Sequence, residues 1–107
     1  MSPKKISKEL NKVILHYIAG LTADRLPIKK VFLFGSYAKG NPRPASDVDL
    51  CIVSPQFSDY IDTIQYLLSK RELNIKYPIE PIGIHPKDFQ TNSPLVSEIK
   101  KTGIKII

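Results

Sequence analysis

FGSYAKGNPRPASDVDLCIV, residues 34–53, decides the reading of this chain. An apolar, partly aromatic run ends abruptly at Gly35-Ser36, four residues later comes Gly40, and after a proline-rich loop Asp47 and Asp49 open a second apolar run. Carboxylates at i and i+2 project from the same side of a strand. So close together they repel by about 1 kcal/mol or more even near a surface. Cys51 and Val53 continue the face of the aspartates, whereas Val48, Leu50 and Ile52 line the other. A divalent cation would offset the repulsion. Mg2+ favours one or two protein carboxylates completed by substrate phosphates, and Mn2+ can take the same ligands. Phosphate in turn needs close backbone approach and free N–H groups, which a glycine at the start of a helical turn provides. Gly35 and Ser36 meet that need, with the Ser36 hydroxyl as a further donor. A lone D-x-D or a lone Gly-Ser is ordinary surface sequence. Strand, Gly-Ser, short turn, glycine and then S-D-x-D opening a strand together point to a phosphate and metal site.

Working outward, "KKVFLF" (29–34) and "DVDLCIV" (47–53) predict two strands, with "SYAK" as a short helical turn and "NPRPAS" as a loop between them. Ile6, Leu10, Val13, Ile14, Tyr17, Ile18 and Leu21 repeat at helical spacing and predict an amphipathic helix ahead of Pro27. After Pro55, Ser58 is the expected cap of a helix whose inner face carries Ile61, Ile64, Leu67 and Leu68. "IEPIGI" (79–84) predicts a third strand, and Pro81, which lacks a ladder donor, places it at an edge or makes it irregular. Ser93-Pro94 starts a last helix that runs to about Thr102 and stops at Gly103, and "IKII" can add a short strand. The expected class is α/β, a mixed sheet of three to four strands with helices packed on one side, forming a single domain over residues 1–107.

Composition fits this. The 107 residues are 42% hydrophobic and 24% charged, with a formal charge of +6 that favours anionic partners. Basic residues are scattered, in short pairs rather than one long run. No stretch has the ~20 apolar residues of a membrane span. The first residues, "MSPKKISKELNK", lack the apolar core of a signal peptide. The one cysteine, Cys51, sits in an apolar strand and reads as core. The expected location is the cytoplasm.

"GSYAKGNPRPASDVDL" resembles the G-S-x-A-x-G…S-D-x-D-L signature of the minimal nucleotidyltransferases, a family of the DNA polymerase β-like nucleotidyltransferase superfamily. The resemblance implies transfer of a nucleoside monophosphate, AMP from ATP being the favoured case, by a two-metal mechanism. It implies that Gly35 and Ser36 hold the triphosphate, with Lys39 as a basic residue beside it, and that Asp47 and Asp49 bind two Mg2+ ions. Family members carry a third carboxylate on a later strand, on the side of the attacking group. Glu80 is the acid within the third predicted strand and takes that place among the catalytic and metal-binding residues. It departs from the usual aspartate by one methylene, and Pro81 follows it. Arg43, in the loop over the site, is a further phosphate candidate; His16 and His85 form no zinc motif.

Members of this size are often encoded beside a helical HEPN-type protein as the antitoxin of a toxin–antitoxin pair, and some transfer AMP to a tyrosine of that partner. The resemblance thus implies an NTP and a HEPN-type protein as partners, without a membrane. Two other readings share the scaffold: a non-catalytic binding antitoxin, motivated by Glu80-Pro81, and a nucleic-acid-binding module using the +6 charge. The acceptor, the base of the NTP and the oligomeric state stay open.

Overall fold

The computed structural model describes residues 6–44, 46–74 and 76–107. Ser7 caps the first helix, α1 (Lys8–Ala23), its Oγ accepting from the amide of Leu10 at 3.0 Å. The predicted stripe is the buried one: Leu10, Ile14, Tyr17, Ile18 and Leu21 all face inward. Then follow β1 (Lys30–Phe34), the one-turn α2 (Ser36–Lys39) and β2 (Val48–Val53). Next come α3 (Tyr60–Ser69), β3 (Ile79–Ile84), the short α4 (Pro86–Phe89), α5 (Pro94–Thr102) and β4 (Ile104–Lys105).

The strands form one sheet in the order β3-β2-β1-β4. β1 is antiparallel to β2 and β4, while β2 and β3 run parallel, so the sheet is mixed. β3 lies at the edge, where Pro81 leaves no internal ladder bond unmade.

The expectation of helices on one side is corrected. Side chains alternate across β1 and β2, and both faces are apolar. Val31, Leu33, Val48, Leu50 and Ile52 pack with the α1 stripe and with Leu67 of α3. Phe32, Phe34, Cys51 and Val53 pack on the other face with Phe89 of α4 and with Val96 and Ile99 of α5. A central strand apolar on both faces needs cover on both. Burial pushes the Cys51 thiol up to about 12, so it behaves as a core group.

Helix α3 differs from expectation too. Asp59 is its cap, accepting from Asp62 N at 2.8 Å, and the buried residues are Thr63 and Leu67, whereas Ile61 is 58% exposed. Gly83 explains the choice of face. A Cβ there would lie 2.5 Å from Thr63 Cγ2 and 2.7 Å from Phe57 Cδ2, so β3 admits α3 at that point only without a side chain. Helices α1 and α3 are tied by Tyr17 Oη donating to the Leu67 carbonyl at 2.6 Å and by Asp24, which receives Tyr66 Oη at 2.8 Å and Lys70 Nζ at 2.9 Å.

Candidate active site

The register brings the quoted residues together. Asp49 of β2 lies opposite Phe34 of β1 and opposite Glu80 of β3. Gly35 follows Phe34 directly, so the chain turns into α2 beside the Asp49 carboxylate. Gly35 has φ 76° and ψ −153°, a conformation open essentially to glycine alone. A Cβ at Gly35 would fall on Asp49 Oδ2. The turn is closed by Lys39 N donating to the Gly35 carbonyl at 3.1 Å and Asn41 N donating to that of Ser36 at 3.1 Å. Gly40, at φ 81°, ends it.

Asp47 lies just ahead of β2 and is exposed. Its approach is fixed by a side chain the sequence reading passed over. Ser46 Oγ accepts from Arg43 N at 2.8 Å, and Ser46 N donates back to the Arg43 carbonyl at 3.0 Å. The only sign of this in sequence is the serine directly preceding the D-x-D, a residue type that closes turns onto its own backbone.

Asp49 is half-buried, and its pKa is raised from 3.8 to about 6, first by burial and then by the charges of Asp47 and Glu80. Neither Asp47 nor Asp49 has an ion-pair partner among the described residues. Two neighbouring carboxylates, one partly desolvated and both without a counter-charge, suit a divalent cation completed by substrate phosphates. Glu80 sits differently. It is exposed on the edge strand, and its Oε2 is 3.8 Å from Arg71 Nη1, which also donates to the Ile79 carbonyl at 3.2 Å. Among the described residues no three of His, Cys, Asp or Glu are grouped so as to hold a metal ion. Asp49 feels the charges of both Asp47 and Glu80, yet the three do not form such a group. Arg71, in the link after α3, carries no motif that could have marked it in sequence.

Lys39 reaches α5, where its Nζ is 3.6 Å from Glu98 Oε2, with both side chains about half exposed. Arg43 is exposed on its loop. His85 caps α4, Nδ1 accepting from Lys87 N at 3.1 Å, and His16 bonds Glu72 at 2.7 Å. Tyr37 packs edge-on against Tyr77, ring centroids 6.1 Å apart.

The raised Asp49 pKa has a thermodynamic consequence. Between 3.8 and about 6 the folded protein binds more protons than the unfolded chain, so stability falls as pH rises through that window. The full shift sets a ceiling near 3 kcal/mol, and solvent screening of a half-buried group reduces it to about 1 kcal/mol. In EDTA, Asp49→Asn is expected to be neutral or slightly stabilising at pH 7 and to flatten this part of the pH–stability curve. Urea titrations at pH 4.5 and pH 7 check it; a large loss of stability in Asp49→Asn would give the carboxylate a structural role instead.

A mixed sheet that places a glycine turn against a paired-aspartate strand defines a nucleotidyltransferase-type domain. Residues 15–106 match the nucleotidyltransferase domain family, and the chain belongs to it. Two Methanocaldococcus jannaschii proteins, each named "Putative protein adenylyltransferase", are similar in sequence. MJ1379 is 36% identical over 61 residues, 52% of this chain and 61% of its own length. MJ0604 is 39% identical over 71 residues, 64% of this chain and 71% of its own. The chain thus spans about three-fifths of the first relative.

Solved structures share the fold. A Sulfolobus solfataricus protein, described as a putative nucleotidyltransferase, superposes with a TM-score of 0.61 at 14% identity, over 91% of this chain and 78% of that one. A toxin–antitoxin structure with AMP-PNP gives a TM-score of 0.56 at 21% identity, over 86% and 71%. Among the described residues no helix is long and apolar enough to cross a membrane.

Proposed function

We propose that this chain is a single-domain cytoplasmic enzyme that transfers AMP from ATP to a hydroxyl of a partner protein, as the antitoxin of a pair with a HEPN-type toxin. The observation that carries the reading is the seating of the Gly35 backbone against the Asp49 carboxylate, with Asp47 beside it and no counter-charge for either acid among the described residues. The names of the curated relatives support AMP as the group and protein as the acceptor, and the toxin–antitoxin neighbours support the pairing.

In this reading Asp47 and Asp49 would hold two Mg2+ ions, which would supply charge neutralisation of the triphosphate and acidify the attacking hydroxyl. Gly35 leaves room for the β- and γ-phosphates, and the Ser36 hydroxyl and amides at the start of α2 donate to them. Lys39 adds charge if it turns from Glu98. The acceptor oxygen loses its proton to solvent and bonds to the α-phosphorus. The bond to the β-phosphate oxygen breaks, and pyrophosphate leaves. Alignment and electrostatics supply most of the rate.

ATP affinity should then depend on Mg2+ or Mn2+ and fall at least about tenfold in Asp47→Asn/Asp49→Asn, a loss of ~1.4 kcal/mol. Calorimetry with and without EDTA tests this, and mass spectrometry of the copurified partner looks for an added AMP. Equal ATP affinity in all four combinations would overturn the reading.

A further inference from the structure

Part of the +6 charge collects at one place in the fold, around Phe89 of α4. That ring is buried and stacks on Phe32 of β1, centroids 5.5 Å apart. Lys30 Nζ, from the start of β1, lies 5.5 Å from the Phe89 centroid, and Lys100 Nζ, from the last turn of α5, lies 4.9 Å from it. Lys105 of β4 is the cross-strand partner of Phe32, so it stands on the same face of the sheet. Three separate elements thus bring Lys30, Lys100 and Lys105 to one aromatic pair. All are exposed, and none has an ion-pair partner among the described residues, whereas Lys39, Lys70, Arg71 and Lys76 each have one. The Phe89 ring attracts two of the ammonium groups, so less freedom is lost when they meet an anion than at a free lysine.

From this we infer that Lys30, Lys100 and Lys105 form a docking surface for the phosphodiester backbone of a nucleic acid. Neighbouring cations without counter-charge select a polyanion. Lysine meets phosphate as a point charge and lacks the planar fork with which arginine takes a carboxylate. A protein interface is built round apolar anchors that the partner covers, and its core is depleted in lysine. Here the ring at the centre is already covered by its own chain, and the charged groups lie outside it. Contacts of this kind go to phosphates and carry no sequence preference. The surface is separate from the nucleotide site: Lys30 and Phe34 stand at opposite ends of β1, about 13 Å apart at the rise of a strand.

The test follows the fluorescence anisotropy of labelled single strands of RNA and of DNA, each about 20 nucleotides long, on the full chain. Affinity should fall with rising NaCl at a log–log slope of about −2, the value for three phosphates of a single strand. Lys30→Gln/Lys100→Gln/Lys105→Gln should weaken binding at low salt by about tenfold or more and bring the slope close to zero. The same triple change to arginine keeps the charge and should keep the binding, which separates charge from fold. Lys12→Gln, on α1, removes a cation elsewhere and should change the affinity by less than about twofold. ATP titrations with Mg2+ should be the same in all these variants. Binding of either strand in this pattern supports the assignment, and the tighter of the two names the source of the phosphates. No binding of either strand, unaltered affinity in the glutamine variant, or an equal loss in Lys12→Gln overturns it. Polyglutamate that displaces both strands at equal charge concentration would make the surface a site for an acidic protein and also overturn it. ATP weakened as much as RNA by the glutamine changes would make the lysines part of the nucleotide site, with the same consequence. None of the first three outcomes touches the adenylyltransferase reading, which stands or falls on the binding of ATP with Mg2+ by the wild type.

Discussion

Gly35→Ala is expected to abolish nucleotide transfer, by about a thousandfold or more, and to cost the fold about 2–3 kcal/mol. Two effects coincide at this residue. The backbone, at φ 76° and ψ −153°, lies where an L side chain is strained whatever the space around it. The added methyl would also fall on Asp49 Oδ2, with Cγ at 3.1 Å, so the carboxylate must swing away or the turn must open. Either movement separates the phosphate cradle from the acid beside it, and small misplacements of such groups are costly in rate. Gly40→Ala is the control. Gly40 is also left-handed, at φ 81°, but nothing lies within 4 Å of its Cβ position. It should lose about 1 kcal/mol from backbone strain alone and keep its transfer rate. Thermal melts, ATP calorimetry and transfer assays on the two variants separate strain from the specific contact. Wild-type transfer by Gly35→Ala would mean that the close approach has no part in the chemistry.

That contact was half legible in the sequence. The glycine, the serine and the two acids announce themselves by type and spacing, and the strands around them by apolar runs with clear stops. What links Gly35 to Asp49 is the pairing of Phe34 with Asp49, a long-range register that no local pattern states. The same holds for Glu80: β3 was readable over its full length, but its place opposite Asp49 depends on β3 joining β2 in parallel at one register.

Helix α3 follows the expected face at Leu67, which is buried, and departs from it at Ile61 and Leu68, which are exposed, for a different reason. It carries apolar residues on two sides, so periodicity allowed either face to turn inward. Gly83 decides in favour of Thr63 and Leu67, from a strand about twenty residues downstream. The cover on both faces of the sheet was latent in the quoted stretch, since Cys51 and Val53 continue the aspartate face as apolar residues and need neighbours there. Part of that cover, α4, is four residues long, too short to show any period, and is marked only by His85 as its cap and Pro86 at its first position.

Glu80→Gln should leave ATP affinity with Mg2+ within about twofold of wild type and lower transfer by about a hundredfold. The split follows from position. Asp47, Asp49 and the Gly35-Ser36 turn, where the triphosphate is proposed to bind, keep their own side chains, whereas Glu80 stands exposed on the edge strand, on the side where the proposed reading puts the acceptor. A group that acts mainly in the transition state changes the rate more than the affinity. To act there, Glu80 must exchange its 3.8 Å contact with Arg71 for one with the reacting groups, because it is not grouped with the aspartates as a metal ligand. Glutamate is one methylene longer than aspartate, and that reach is what the exchange requires. Glu80→Asp should therefore also be slow, though less so than Glu80→Gln, and its ATP affinity should be unchanged. Both variants should fold normally, since the pair they disturb is exposed and such pairs contribute about 0–1 kcal/mol. Single-turnover transfer to the copurified partner protein measures the effect. If Glu80→Gln transfers at the wild-type rate, the two aspartates suffice and Glu80 serves only as the partner of Arg71.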